Sequence, residues 1–282
     1  MDLLKLDAFP SVAANATSTL STAQLIDMSC HGLVFELGGT TFTPALISSI
    51  RVSVDGKDVV PALFSGSQLL SLCDYEGFVP ATNYAFLFFG DPAARTIRGQ
   101  HLGDLDFSVY RKPLQIEVQI GAAVAPTLQC YALTGVPKKQ MGIGFGDPEA
   151  TIIRALVRTV ITPSAAVTRQ TYGISLGSTP GARLRRILFF NANLTNVDLR
   201  KQSLTKWDNV SAALNSAIQE QYTRTPQAGL YVLDRIVDGN QGESETTVSP
   251  DGRSWNMQVA LSTSAADTIT TYADSFTTLP GL

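Results

Sequence analysis

Apolar and polar residues alternate with a period of two in most of the clearly patterned segments of the chain. In residues 50–54 (IRVSV) every second residue is apolar, and the turn-forming pair Asp55-Gly56 follows. Because successive side chains of a strand point to opposite faces, this pattern predicts strands with one face in a core. Further strands are predicted over residues 84–89, 114–120, 127–133, 186–191, 230–236, 255–261 and 268–272. Many short strands between turn-forming residues favour an antiparallel sandwich or barrel over alternating βαβ units.

Two segments have the three- and four-residue apolar spacing of a helix. Apolar residues recur along 203–222 at positions 204, 207, 210, 214, 218 and 222, and Pro226 follows, so we predict an amphipathic helix there. A shorter helix is predicted over residues 67–75. Residues 149–160 fit either a helix or a strand, and their β-branched residues favour a strand.

An internal repeat relates the two halves of the chain. Residues 114–132 can be laid over residues 255–273 without a gap, at a constant offset of 141 residues (114 to 255). The apolar positions 114, 116, 118 and 120 fall on Trp255, Met257, Val259 and Leu261. Upstream of each copy the same order recurs: a strand (50–54; 186–190), a helix (67–75; 203–222) and a second strand (84–91; 230–238). A unit of this length is too long for a solenoid repeat and indicates a duplicated domain.

The repeat predicts an all-β fold of two tandem domains, residues 1–137 and 138–282. The glycine-rich residues 142–146 (GIGFG) resemble a phosphate-binding loop, but an aspartate follows at position 147, where its charge opposes phosphate. We therefore interpret this segment as the linker.

Composition narrows the function more than the fold. Charged residues make up 16% of the 282 residues, against about 25% in typical soluble domains, so much of the surface is neutral and suits burial against neighbouring molecules. The net charge of −3 favours neither nucleic acid nor acidic lipid as a partner. Three widely spaced cysteines, Cys30, Cys73 and Cys130, predict buried free thiols and a reducing compartment. No signal peptide or stretch of about 18 apolar residues is present, so neither secretion nor membrane spanning is expected.

Residues that could carry catalysis are few. The two histidines, His31 and His101, have no neighbours in sequence that would form a metal site or a nucleophile–base pair, and we interpret them as structural. The common hydrolase, nucleotide-binding and zinc-protease motifs are missing. We predict no catalytic residues, no cofactor-binding residues and no enzymatic activity.

Three weaker candidate binding sites each have a purely structural alternative. Asp238, Asn240 and Glu243 offer oxygen ligands for calcium, although a solvated turn is the favoured interpretation. The densest basic region could face lipid phosphates, another subunit or water; it comprises Arg183, Arg185, Arg186, Arg200 and Lys201. Phe86, Phe88 and Phe89 could stack on nucleic-acid bases, but their strand spacing favours a place in the core.

Four short segments, spread over nearly the whole chain, carry a family resemblance. Residues 4–14 (LKLDAFPSVAA) open the chain, and residues 50–57 (IRVSVDGK) form a strong strand and turn. In the second half, residues 205–207 (TKW) and 220–222 (EQY) bracket the predicted helix. In order and spacing these segments resemble the major capsid protein of the corticoviruses, which are tailless phages, and more broadly the double jelly-roll capsid lineage.

The resemblance implies two antiparallel eight-stranded jelly-roll sandwiches side by side, with short helices inserted in each. It further implies homotrimers of pseudo-hexagonal outline that tile an icosahedral shell around an internal lipid membrane and a DNA genome. The inner rim would approach the membrane peripherally, vertex or minor capsid proteins would be partners, and assembly would occur in the host cytoplasm. Calcium bound at subunit interfaces occurs in related shells, although no cofactor is required. The chain departs from the family in longer polar loops around residues 91–104 and 239–252, where the outer decoration would differ.

Two other functions remain open at this point. Jelly rolls also serve as glycan-binding modules or virion spikes, which predicts a monomer or small oligomer that recognises glycan. An enzyme on a cupin-like jelly roll would need a cluster of metal-binding histidines, and the chain has only two histidines. We therefore expect a major capsid protein with a structural role.

Overall fold

The computed structural model describes residues 1–79, 81–142, 151–176, 178–202 and 204–281. The strands of the first half are β1 (Asp2–Lys5), β2 (Thr17–Thr22), β3 (Ser29–Gly38), β4 (Ile47–Val54), β5 (Lys57–Phe64), β6 (Tyr84–Phe88), β7 (Leu105–Asp106), β8 (Leu114–Ile120) and β9 (Thr127–Gly135). Those of the second half are β10 (Ile152–Ile161), β11 (Val167–Gly173), β12 (Arg183–Phe190), β13 (Leu194–Lys201), β14 (Leu204–Ser211), β15 (Leu230–Asp234), β16 (Glu245–Thr246), β17 (Met257–Thr263) and β18 (Ile269–Thr278). The described α-helices are α1 (Gly66–Tyr75), α2 (Ile97–His101), α3 (Phe107–Tyr110) and α4 (Ala212–Gln221), and none is long and apolar enough to cross a bilayer.

The two halves have the same strand order. In the first half, one antiparallel sheet has the order β1-β9-β3-β6, with β7 beside β3, and the other has the order β2-β8-β4-β5. In the second half the orders are β10-β18-β12-β15, with β16 beside β12, and β11-β17-β13-β14. Replacing each strand of the first half by its counterpart reproduces the second. Each half is thus an eight-stranded jelly roll with one added short strand, which confirms the predicted double jelly roll.

The 141-residue repeat aligns residues in equivalent positions. Ala132 of β9 pairs with Leu33 of β3, and Ala273 of β18 pairs with Ile187 of the counterpart strand β12. One upstream match was wrong: residues 186–190 lie in β12, the counterpart of β3, so β4 corresponds instead to β13. The predicted linker lies outside the described residues except for Gly142, and the boundary at 137/138 stays a prediction.

The prediction of one long helix over residues 203–222 was wrong. The first part is β14, which pairs with β13, and only residues 212–221 form a helix, α4. The register of β13 with β14 shifts on both sides of Leu199. Such irregularities break the period-two alternation of a strand, and the apolar residues of β14 therefore mimic helical spacing. Ser203 lies outside the described residues.

The helix α4 buries polar residues rather than the expected apolar stripe. Leu214 is 53% exposed, whereas Asn215 and Gln219 are buried. The side-chain amides of Asn215 and Gln219 donate to the carbonyl oxygen of Val232, at 2.9 and 2.7 Å. These two hydrogen bonds tie α4 to β15 and replace apolar packing on that face.

The other two local predictions are confirmed. Helix α1 begins with a capping box, in which the Gln68 amide N–H donates to Ser65 Oγ at 3.2 Å and Ser65 N–H donates to Gln68 Oε1 at 3.0 Å. The ambiguous segment 149–160 contains the strand β10, as its β-branched residues favoured.

One sheet of the second jelly roll is buried on both faces. In β12, Ile187 packs in the core of the second sandwich, while the next residue, Leu188, belongs to a core shared with the first sandwich. In β15, Leu233 packs in the core of the second sandwich, and Val232 packs in the shared core. Residues 187–190 of β12 and 230–233 of β15 are therefore continuous apolar runs, as expected for strands covered on both sides.

We expect both jelly rolls to unfold in a single calorimetric transition, because they share a core. Leu188→Ala truncates a fully buried side chain of that core and should lower the free energy of unfolding by about 2–5 kcal/mol. Leu204→Ala is the matched control, since Leu204 is 59% exposed, and should change it by less than about 0.5 kcal/mol. Two separate transitions in the unmodified chain would contradict a shared core.

Candidate functional site

Charged side chains cluster in the buried junction between the two jelly rolls. All are less than one-tenth exposed, and we call them the junction network: Glu76, Asp91, Arg154, Arg185, Arg186, Asp234 and Asp274. The first jelly roll supplies two carboxylates, since Glu76 follows α1 and Asp91 follows β6. The remaining carboxylates and all three guanidinium groups lie on β10, β12, β15 and β18. The network therefore joins one domain to the other.

Arg185 links the two domains directly. Its guanidinium donates to both oxygens of Asp274 at 3.1 Å and to Asp91 Oδ2 at 2.6 Å. Gln241 supports the arrangement, because its amide donates to Asp91 Oδ2 at 2.7 Å and its oxygen accepts from Arg185 Nε at 3.2 Å. The Arg185 guanidinium also lies over the ring of Phe276, 4.8 Å from its centre.

The other two arginines meet at Glu76. Arg154 lies 3.3 Å from Glu76 Oε1 and donates to Asp274 Oδ1 at 3.0 Å. Arg186 donates to the same oxygen of Glu76 and, through Nε, to Asp234 Oδ2 at 2.9 Å. Tyr75 donates to that Asp234 oxygen at 2.8 Å. Each guanidinium thus has carboxylate partners, which buried charges require.

The charges of the network shift the pKa values of its members. Burial alone would raise the pKa of Asp91, but the nearby guanidinium groups of Arg185, Arg186 and Arg154 outweigh burial and hold this pKa well below its ordinary value. The pKa of Asp274 is lowered in the same way. Both carboxylates are therefore ionised at neutral pH and remain so into acidic solution.

Two polar loops close over this junction. Residues 91–104, which we call the bridging loop, follow β6 and reach the loop 239–252 of the second jelly roll. Arg95 N–H donates to the Gly239 carbonyl at 3.2 Å, and Arg154 N–H donates to the Gly103 carbonyl at 2.9 Å. The two polar loops singled out in the sequence are thus part of the domain junction.

The basic region has a different role from those considered for it. Arg185 and Arg186 are fully buried in the junction network, so neither faces water or lipid phosphates. Arg183 donates to the carbonyl oxygens of Gly242 and Ser244, at 2.8 and 3.0 Å. In the sequence, the only indication of this role is that Arg185 and Arg186 directly precede the apolar residues 187–190. A strand buried on both faces can hold arginine only where carboxylates contact it.

Arg200 and Lys201 lie at the end of β13, in the other sheet of the second jelly roll. Lys201 Nζ donates to Glu245 Oε1 at 2.7 Å and lies 5.0 Å from the centre of the Trp255 ring. The two halves of the predicted basic region therefore have separate partners.

The candidate calcium ligands take part in the turn after β15. Asp238 pairs with Arg95 at 3.6 Å and accepts from Asn240 N–H at 2.9 Å. Asn240 Oδ1 accepts from Gly242 N–H at 3.0 Å, and Asn240 Nδ2 lies 3.5 Å from Glu243 Oε1. These contacts suit a capped turn, and calcium binding at this place stays a prediction.

The two histidines, by contrast, are brought together. His31 on β3 and His101 at the end of α2 both contact Asp104, and among the described residues the ligand atoms of these three lie close enough together to surround a metal ion. Sequence reasoning missed it because 70 residues separate the histidines. The spacing of His101 and Asp104, three residues apart in the polar segment 91–104, was the available signal.

The remaining predictions concern packing. Cys30, Cys73 and Cys130 are buried free thiols, as predicted, and burial raises the pKa of Cys73 to about 12. Phe89 lies in the core, whereas Phe86 and Phe88 are half-buried on the other face of their strand.

The fold and the sequence comparisons identify the class and then the family. Two jelly rolls of one strand order, fused through a shared core and an ion network, define a double jelly-roll protein. The major capsid protein P2 of bacteriophage PM2 is similar in structure, with a TM-score of 0.79 and 17% identity over 98% of this chain and 96% of that one. Sulfolobus turreted icosahedral virus provides a second similar chain, with a TM-score of 0.68, 14% identity and 99% and 91% coverage. A capsid chain of PBCV-1 follows with a TM-score of 0.60, 10% identity and 98% and 92% coverage.

Two family models account for most of the sequence. Residues 3–136 match the N-terminal domain of viral coat protein P2, and residues 153–279 match its C-terminal domain. The chain therefore belongs to the viral coat protein P2 family, and the predicted corticovirus-type double jelly-roll capsid protein is confirmed. No curated protein sequence matches the chain. A structural coat role is the function that this family supports.

We expect Asp91→Asn to destabilise the protein more at neutral pH than in acid. At pH 7 the substitution leaves the buried Arg185 without one of its two carboxylate partners. The free energy of unfolding should fall by about 3–5 kcal/mol. Because the folded-state pKa of Asp91 is lowered, the stability that its charge contributes is fully present above the ordinary pKa of about 4. It is lost progressively as the pH falls from there toward the lowered folded-state pKa. The gap between variant and wild type should therefore narrow toward pH 3 in urea unfolding.

Asp55→Asn is the control for this pH series. Asp55 forms an exposed ion pair with Lys112 at 3.3 Å, so its loss should change stability by about 1 kcal/mol or less. An Asp91→Asn deficit that is equally large at pH 7 and pH 3 would show that the ionised carboxylate does not stabilise the junction.

Proposed function

We propose that the chain is the major coat subunit of an icosahedral virion, assembled as homotrimers that tile a shell around an internal membrane and a DNA genome. The observation that carries the proposal is the fusion of two jelly rolls of identical strand order through one buried junction. Membership of the chain in a family of viral coat proteins supports the coat role. The trimer, the shell and the internal membrane are our inference from the duplicated fold and the resemblance.

The duplicated jelly roll and the fixed arrangement of its two sandwiches together favour a trimeric capsomer. Three subunits of two similar sandwiches place six similar units around one axis, and such a ring closes by rotation. Such a capsomer keeps its pseudo-hexagonal outline only if the two sandwiches of each subunit do not move relative to each other. The shared core and the junction network meet that requirement, because buried ion pairs tolerate little displacement.

An exposed apolar groove is the contact surface that we assign to a second copy of the chain. Leu3 is 62% exposed, Met28 37% and Val136 51%, and the three side chains line one groove. Among the described strands, β1 pairs only with β9, so its other edge is open beside the groove. Exposed apolar surface at an open strand edge favours association. The low charge of the chain supports the same interpretation.

The remaining parts of the proposal follow from the capsid lineage that the chain resembles. The inner rim would approach the viral membrane peripherally, vertex or minor capsid proteins would bind the shell edge, and assembly would precede release from the host cytoplasm. We propose a structural role without catalysis. Calcium at subunit interfaces, with Asp238, Asn240 and Glu243 as candidate ligands, would make assembled particles sensitive to chelation by EGTA.

We expect the purified protein to be a trimer of 30.2 kDa chains, and negative-stain images of the same sample should have hexagonal outlines or tiled shells. Light scattering measures the mass. A persistent monomer that binds glycan would favour a binding module instead.

Leu3→Lys should shift this equilibrium toward monomers, because a charge in an apolar contact is desolvated without a partner. Val124→Lys is the matched control, since Val124 is 56% exposed and lies outside the groove. Equal trimer content in the two variants would overturn the assignment of the groove while leaving the coat role intact.

A further inference from the structure

His31, His101 and Asp104 bring three ligand atoms to one point at the base of the bridging loop. Asp104 Oδ2 lies 2.5 Å from His31 Nδ1 and 2.9 Å from His101 Nδ1. The two Nδ1 atoms are 3.1 Å apart, and the ring centres are 4.5 Å apart. Both imidazoles therefore direct the same ring nitrogen at one carboxylate oxygen.

Hydrogen bonds among the two imidazoles and the carboxylate do not satisfy all three ligand atoms. A neutral imidazole has one N–H and one acceptor nitrogen. If both histidines donate from Nδ1 to Asp104, the two N–H groups face each other across 3.1 Å. If either withholds its proton, that nitrogen has a lone pair directed at a carboxylate. A cation between the three atoms accepts all three lone pairs at once.

The second oxygen of Asp104 supports the same conclusion independently. Asp104 is fully buried, and its Oδ1 has no hydrogen-bond partner among the described residues. A buried carboxylate oxygen normally accepts at least one hydrogen bond, because an unpaired one loses its hydration without compensation. A bound divalent cation would neutralise this carboxylate and could take Oδ1 as a further ligand.

We infer that His31, His101 and Asp104 form a binding site for a divalent transition metal of the zinc class. Two imidazole nitrogens and one carboxylate oxygen are ligands that zinc accepts, whereas calcium prefers oxygen alone. Tetrahedral bonds of about 2.0–2.1 Å separate ligand atoms by about 3.3 Å, so each of the three distances has to widen by less than about 1 Å. His101, whose side chain is 24% exposed, opens the site to metal and to a solvent ligand.

The metal would fasten the bridging loop to the first jelly roll. His31 lies on β3, and its carbonyl oxygen accepts from Phe89 and Gly90 N–H at 2.8 and 3.1 Å, where the loop begins. His101 and Asp104 lie where the loop ends. Between these points the loop contacts the second jelly roll through Asp91 and Arg95. Metal binding therefore stabilises the domain junction from one side.

Cobalt absorption tests the site on the untagged, full-length protein after removal of metals with EDTA. We expect one Co²⁺ per chain, with the visible bands of a low-coordinate site, and displacement by Zn²⁺ but not by Ca²⁺. The chain has only two histidines, so imidazole ligation reports on this site alone. Zn²⁺ at roughly a hundredfold excess over its dissociation constant should raise the melting temperature by about 5 °C.

The variants separate a metal site from a purely structural contact. His101→Ala, at the partly exposed ligand, should lose the cobalt bands and the Zn²⁺-dependent rise in melting temperature. Asp238→Asn combined with Glu243→Gln, at the other candidate ligands, should keep both. If His101→Ala does not fold, His101→Gln provides the same comparison with a hydrogen-bonding side chain. Failure of the wild-type protein to bind Co²⁺ stoichiometrically, or equal binding by the His101 variant, would overturn the assignment.

Discussion

The burial of three guanidinium groups against four carboxylates is the constraint on which the rest of this structure depends. Moving such ions out of water costs several kcal/mol each, about as much as close pairing in a low-dielectric interior returns. Glu76 and Asp91 come from the first jelly roll and their arginine partners from the second. The network is complete only when the domains are docked in one position, so its main effect is on the specificity of docking.

Apolar packing around the network supplies the affinity that the ions do not. Tyr272 of the second jelly roll packs edge-on against Phe64 of the first, with ring centres 5.0 Å apart. Its hydroxyl donates to the Leu63 carbonyl at 2.8 Å. Apolar burial is favourable over many orientations, whereas hydrogen-bonded ions select one of them. A coat subunit built from two sandwiches uses both to hold the sandwiches in one arrangement.

The misinterpretation of the arginines and of the histidines has one physical cause. Residues 183–186 (RLRR) have the composition of a solvated basic patch, yet two of their arginines are fully buried. The decisive partners, Glu76 and Asp91, lie about a hundred residues earlier and belong to the other domain. The histidines were separated in the same way, since His31 meets His101 only through the pairing of distant segments. The local spacing of residues in the sequence does not reveal such long-range contacts.

The sequence by itself determined the fold class, the duplication and the family. Alternation with period two follows from strand geometry, and the capping residues of α1 act within four positions, so both are local and readable. The tertiary structure alone decided which strands are covered twice, as β12 is, and where β14 ends and α4 begins. Those outcomes depend on contacts between segments that the chain keeps far apart, and burial can change the role of an arginine or a histidine without changing the residues beside it.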